Sequence, residues 1–170
     1  IGEIAGRGAM RRLGYFNNQA STEGAFNADG WFLSGDLGRV NEQGNLEIVG
    51  RSKDIIIRGG HNIHPARIED LAMRHPAVTK AAAVPVADER LGEKVCLVVT
   101  GTEPIDGGAL LEFLAKEGLS KYDMPEFFGQ TERLPLGPTG KVLKRELVQW
   151  LRAGTLAPQT VRWRTSGVNL

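Results

Sequence analysis

A single cysteine, Cys96, is found among 170 residues, so no disulfide can form within the chain. Its place inside the apolar run VCLVV fits a small buried hydrophobe better than a nucleophile, and a reducing, cytoplasmic setting is the expectation. No apolar run approaches the roughly 20 residues that a membrane-spanning helix needs, and the first residues lack the charged-then-apolar layout of a signal peptide. No charge of one sign prevails: 21 Lys and Arg against 20 Asp and Glu leave a formal +1. Without a global field, or a basic stripe interleaved with aromatics, neither nucleic acid nor an anionic membrane is selected as a partner. Any anion site must therefore be local. A G-x-S-x-G nucleophile elbow is also missing. His61 and His64 lack a third donor at metal-ligand spacing and read as turn and cap residues, so no metal site is assigned.

What is present supports a real core, since 41% of the residues are hydrophobic. Residues 1–50 read as short strands and turns: GEIA, LGYF, then WFLSGDLGRV and NLEIV across the turn NEQG. No helix of useful length fits there. Such a segment buries little by itself, which points to the β-rich end of a larger domain, residues 1–51, and to a chain that is a piece of something longer. Its unpartnered strand edges should be disordered, folded back, or paired between copies as a homodimer.

Signals change over most sharply in residues 50–70, GRSKDIIIRGGHNIHPARIED. Ile55, Ile56 and Ile57 read as a short strand, Gly59 and Gly60 as a tight turn, and Pro65 as the first position of a helix. Arg51 and Lys53 precede the strand, and the glycine pair lets a backbone approach something closely, so the stretch has the character of a hinge beside an anion. Beyond it, helices and strands alternate. PARIEDLAMRH places Ile68, Leu71 and Ala72 on one helical face. AVTKAAAVPVAD and KVCLVVTG read as strands separated by DERLGE. Asp106 caps a helix whose face is Leu110, Leu111 and Leu114 and whose stop is Gly118. EFFGQTERL is a weak strand, and KVLKRELVQWL is the last helix, with Leu143, Leu147, Trp150 and Leu151 as its stripe. The fold class is α+β: residues 52–152 form a small mixed sheet with helices packed on it, and 153–170 a loosely held tail.

Three polar residues stand out. Lys141 follows the rigid Pro-Thr-Gly of LPLGPTGKVLKREL at the entrance to that last helix, where a cation sits at the unfavourable end of the helix dipole. The loop is no Walker motif, because Pro135 replaces its first glycine and Val142 its Ser or Thr. On composition alone, Lys141 is more often a solvated lysine. Asp36 follows Ser-Gly in WFLSGDLG, and a carboxylate can accept from two vicinal hydroxyls, although Asp in a turn is ordinary. Arg51 is either a donor to phosphate or ribose oxygens or a surface charge.

Taken in order, GEIAGRG with GYFNN, GWFLSGDLG, GRSKDIIIRGG, NIHPARIED, KYDMP and LPLGPTGK resemble the carboxy-terminal end of the adenylate-forming superfamily. That superfamily includes acyl-CoA synthetases, adenylation domains and luciferase. The resemblance implies that a carboxylate and ATP give acyl-adenylate and pyrophosphate, after which coenzyme A displaces AMP. It implies that Asp36 binds the ribose hydroxyls, Arg51 supports the nucleotide, and Lys141 neutralises charge as the mixed anhydride forms. Lys53 would be the hinge, and Gly59 and Gly60 would line the path of the pantetheine thiol. Magnesium is expected with ATP, its ligands lying outside this segment, as do the phosphate loop and acyl pocket. Lys141 would also be a target for a lysine acetyltransferase and deacetylase.

Two departures from the family's common pattern are Ser34 for Thr and Arg67 for Glu in the P-A-E-x-E segment. The wording NIHPARIE looks most like ligases for medium-chain, cyclic or aromatic acids. An aryl-acid or amino-acid adenylation domain that loads a carrier protein is an alternative. A noncatalytic α/β binding module is another, disfavoured by the presence of Asp36, Arg51 and Lys141 together.

Overall fold

A computed structural model describes residues 1–9 and 11–163. The chain divides into two compact units, Ile1–Asp54 and a second that begins at Ile55.

The first unit is an open antiparallel sheet in the order β1 (Gly2–Gly6), β2 (Phe32–Val40), β3 (Leu46–Arg51), not a closed barrel. Asn41 turns the β2–β3 hairpin: its side-chain oxygen accepts the Gln43 and Asn45 amides at 3.1 and 2.9 Å, and Gly44 takes φ +83°. Val40, Leu46 and Ile48 remain 69%, 57% and 67% exposed, as expected of strands without a covering layer. The strand expected over LGYF does not form. Leu13 and Phe16 are both 95% exposed, Asn17 turns the chain at φ +49°, and Asn18 caps a one-turn helix, α1 (Gln19–Glu23). Turn chemistry outweighs the β propensity of two aromatics.

The second unit opens on the hairpin β4 (Ile56–Arg58) and β5 (His61–Ile63), followed by α2 (Pro65–Ala72) with Pro65 in its first turn. β6 (Val78–Asp88) and β7 (Gly92–Gly101) pair antiparallel, so the expected polar linker shrinks to three residues between the paired Asp88 and Gly92. A crossover through α3 (Gly107–Lys116) then brings β8 (Phe127–Gln130) parallel to β7. α4 (Lys144–Arg152) and β9 (Gln159–Thr160) complete the described elements, and the sheet runs β5-β4-β7-β8-β9 with β6 on the other edge of β7.

Both faces of this mixed sheet are covered, which is why β6 and β7 are apolar runs without polar alternation. Ala83, Val95, Leu97 and Val99 pack with Ile68 and Leu71 of α2 and Leu110, Leu111 and Leu114 of α3. Ala82, Val84, Cys96 and Val98 face Leu134 and Leu147 of α4. Each fully buried branched side chain contributes about 1.5–3 kcal/mol. Asp106 caps α3 by accepting the Ala109 amide at 2.8 Å, and Gly118 ends it at φ +86° while the Leu119 amide reaches back to the Leu114 carbonyl. Burial pushes the Cys96 thiol up to about 12, so it stays protonated.

Two expectations need correction. The last helix starts at Lys144, not at residue 141, because Leu136 and Val142 form a β-bridge and the Leu143 amide donates to the Pro135 carbonyl. Leu143 therefore leaves the stripe and is 42% exposed. The expected tail is held at least to Trp163: β9 pairs with β8, Leu156 packs over Gly129, and Val161 and Trp163 lie against the core. Residues 164–170 of that tail lie outside the described residues.

Candidate functional site

In the first unit, Asp36 sits mid-strand in β2, directly opposite Arg51 at the end of β3. The guanidinium Nε donates to Asp36 Oδ1 at 2.9 Å, with both side chains part-exposed. The carboxylate thus keeps a second oxygen while Arg51 fixes its orientation. Gly35 makes the kink that presents it. Its φ is +74°, its amide donates to Glu3 Oε1 at 3.0 Å, and its carbonyl accepts from Ser52 Oγ at 3.2 Å. Ser34 Oγ accepts the Asp36 amide at 3.0 Å, a task that its hydroxyl performs as a threonine's would. Asp36 is therefore a strand residue beside a kink, not a turn residue, and its partner is Arg51. Lys53 lies exposed in a single 3₁₀ turn, Ser52–Asp54, at the end of this unit.

In the second unit, Gly59 and Gly60 have φ +58° and +84°, as a two-residue type I′ hairpin turn requires between the paired Arg58 and His61. A Cβ on Gly60 would meet no atom of the described residues within 4 Å. The hydrogen bond from the Gly59 amide to the Leu91 carbonyl, 2.7 Å, ties the turn to the loop before β7. His61 is a strand residue, not a turn residue, and its Nε2 lies 2.8 Å from Asp123 Oδ1. His64 occupies the N-cap of α2 but makes no side-chain cap bond, and its Nδ1 is buried without a hydrogen-bond partner among the described residues.

Lys141 stands on a small hairpin of its own. The Gly137 amide donates to the Lys141 carbonyl at 2.8 Å, the Gly140 amide donates to the Gly137 carbonyl at 2.9 Å, and Gly140 takes φ +77°. The ammonium is exposed and joins no ion pair among the described residues. Asp36, Arg51 and Lys53 thus belong to one unit, and Gly59, Gly60 and Lys141 to the other. Among the described residues, no three His, Cys, Asp or Glu side chains gather to hold a metal ion, and no helix is long and apolar enough to cross a membrane.

Residues 67–141 match the family model of the AMP-binding enzyme C-terminal domain. The chain carries that domain and belongs with the adenylate-forming enzymes. It is 40% identical to the medium-chain fatty-acid–CoA ligase of Escherichia coli over 146 residues, 84% of this chain and 26% of that one. To the same organism's enterobactin synthase component E it is 38% identical over 151 residues, 89% of this chain and 28% of the relative. Among solved structures, the o-succinylbenzoate coenzyme A synthetase of Bacillus subtilis with ATP and magnesium superposes with a TM-score of 0.78 at 35% identity, covering 86% of this chain and 30% of that one. The chain spans about a quarter of the length of the curated relatives it matches. The mixed α+β fold expected from the alternation of helix and strand patterns is therefore that of the C-terminal domain of these enzymes.

Proposed function

We propose that this segment serves an AMP-forming acyl-CoA synthetase, in which a carboxylate and ATP give acyl-adenylate and pyrophosphate and the thiol of coenzyme A then displaces AMP. The observation that carries the reading is the Asp36–Arg51 pair: a carboxylate fixed by one guanidinium, with an oxygen left for the ribose hydroxyls. Arg51 supports the nucleotide from the same place. Lys141, raised on its hairpin, meets the negative charge that grows on the carboxylate and α-phosphate as the anhydride forms, and acetylation would remove its charge. Lys53, adjacent to the junction of the two compact units, is the pivot about which the second unit turns between half-reactions. Gly59 and Gly60 then flank the thiol's path. ATP comes with magnesium as part of the substrate, and the buried, protonated Cys96 is in keeping with a reducing, cytoplasmic setting.

A salicyl-AMP ligase / salicyl-S-ArCP synthetase of Mycobacterium tuberculosis, 38% identical over 155 residues, favours a second reading, in which the acceptor is a carrier protein and the acid is aromatic. One experiment tests both. The segment is joined to a large amino-terminal domain, and acid-dependent pyrophosphate release is measured with a panel of carboxylates. Thioester is then assayed with free coenzyme A and with a phosphopantetheinylated carrier. Release followed by transfer to free coenzyme A is expected. Transfer to the carrier alone selects the second reading, and no acid-dependent release overturns both. The isolated segment should show no sustained AMP release.

A further inference from the structure

The β4–β5 hairpin is fixed at its base and its tip by different means. At the base, the paired Ile56 and Ile63 are fully buried in the core. Toward the tip, β4 meets β7 at one residue pair, Arg58 opposite Gly92, so the ladder alone holds the Gly59–Gly60 turn weakly. The Gly59 amide's bond to the Leu91 carbonyl at 2.7 Å and the Ile57 amide's bond to Glu93 Oε2 at 2.8 Å tie it on the β7 side, and the Arg58 side chain ties it to the loop before β8. The Arg58 guanidinium, 13% exposed, donates to the Met124 carbonyl at 3.0 Å, to the Tyr122 carbonyl and to the Glu126 carboxylate. Glu126 is itself locked onto β7, its other oxygen accepting the Val95 amide at 3.0 Å and its own amide donating to the Val95 carbonyl at 3.0 Å. On the outer side of the turn, His61 bonds Asp123 and packs edge-on against the Tyr122 ring at 6.4 Å between centroids.

We infer that Arg58 is a positioning residue for the thiol-transfer half-reaction, clamping the Gly59–Gly60 turn to the Tyr122–Glu126 loop so that the turn's backbone keeps a fixed line along the thiol's path. The inference rests on the synthetase reading. Three acceptors around one planar fork fix a position and an angle, which a single lysine contact does not. The clamp shares no residue with the Lys141 hairpin, braced by its own backbone bonds, and the Asp36–Arg51 pair belongs to the first unit. Its loss should therefore fall on one half-reaction.

The test uses the segment joined to its large domain, with adenylate formation and transfer from presynthesised acyl-adenylate measured separately, and thermal unfolding beside them. Arg58→Met should slow transfer by about 10²-fold, the scale for an ångström of misplacement, with adenylate formation little changed. Arg58→Lys keeps a charge beside Glu126 but cannot serve both carbonyls, and should show the same selective loss to a smaller extent. It decides the matter if Arg58→Met does not fold. Undiminished transfer in Arg58→Lys, or equal loss of both half-reactions in either folded variant, overturns the clamp. A wild-type enzyme that forms no adenylate refutes the synthetase reading itself and the clamp with it; failure of the clamp alone shows only in the variants.

Discussion

Lys144 Nζ lies 2.6 Å from Glu69 Oε1, the same oxygen that accepts the Ala83 amide at 2.8 Å. Helix α4, helix α2 and the outer edge of β6 thus meet at one carboxylate. The two partners are not equivalent. Glu69→Ala leaves the N–H of a fully buried residue unpaired and should cost about 1–3 kcal/mol, whereas Lys144→Ala removes one contact of a part-exposed ammonium and should cost about 0–1 kcal/mol. Urea unfolding of both variants checks the order. A larger loss from the lysine would show that the ion pair, and not the capped strand edge, is what the junction contributes.

Lys141 sits exposed on a backbone-braced hairpin, so its removal should leave the fold intact. In the joined enzyme, Lys141→Ala should lower adenylate formation by roughly 10²–10³-fold, the scale for one preorganised electrostatic contact. Transfer from presynthesised acyl-adenylate should survive. Equal loss in both half-reactions, with unfolding unchanged, would remove Lys141 from the adenylation step specifically.

Gly60 separates a need for conformation from a need for space. At φ +84° an ordinary side chain is strained, by about 1–2 kcal/mol, although nothing among the described residues would obstruct a Cβ. Asn adopts this backbone region readily and is a favoured type I′ residue. Gly60→Asn should therefore unfold near the wild-type temperature and still slow thiol transfer, because its side chain enters the path. Gly60→Leu should do both kinds of damage. Normal transfer in a stable Gly60→Asn enzyme would leave the glycine with a turn role only.

What the sequence made legible was what neighbouring residues decide together. Pro65 opening α2, Asp106 capping α3, Gly118 ending it and the Ile68, Leu71, Ala72 face all depend on spacings of a few residues. β9 was not legible because Gln159 and Thr160 are exposed and become a strand only through β8, about thirty residues earlier in the chain. The Asp36–Arg51 pair was hidden for a subtler reason. A regular ladder continued from Val40 opposite Leu46 would set Asp36 against Gly50, and the one-residue bulge at Leu37–Gly38 sets it against Arg51 instead. Arg58 was passed over because its acceptors are backbone carbonyls and a glutamate more than sixty residues away.

Asp88, in the tight β6–β7 turn, gives a prediction in pH. The Lys94 ammonium, 2.5 Å from its carboxylate, and then the Leu91 amide hold its carboxyl below the usual carboxylate range. Because the folded-state value is depressed, the carboxylate's contribution is fully present above the ordinary value of 3.8 and is lost as pH falls from there through the folded value. Asp88→Asn has no such titration. Wild type should thus be more stable than Asp88→Asn at pH 7, and the gap between their thermal midpoints should hold to about pH 5 and narrow below pH 4. Every other carboxylate titrates in both proteins, so their effects cancel in the difference. Lys94→Met should shrink the gap at pH 7 but not abolish it, since the Leu91 and Arg90 amides still favour the ionised form. A gap that stays constant down to pH 3 would mean that Asp88 contributes through its shape in the turn and not through its charge.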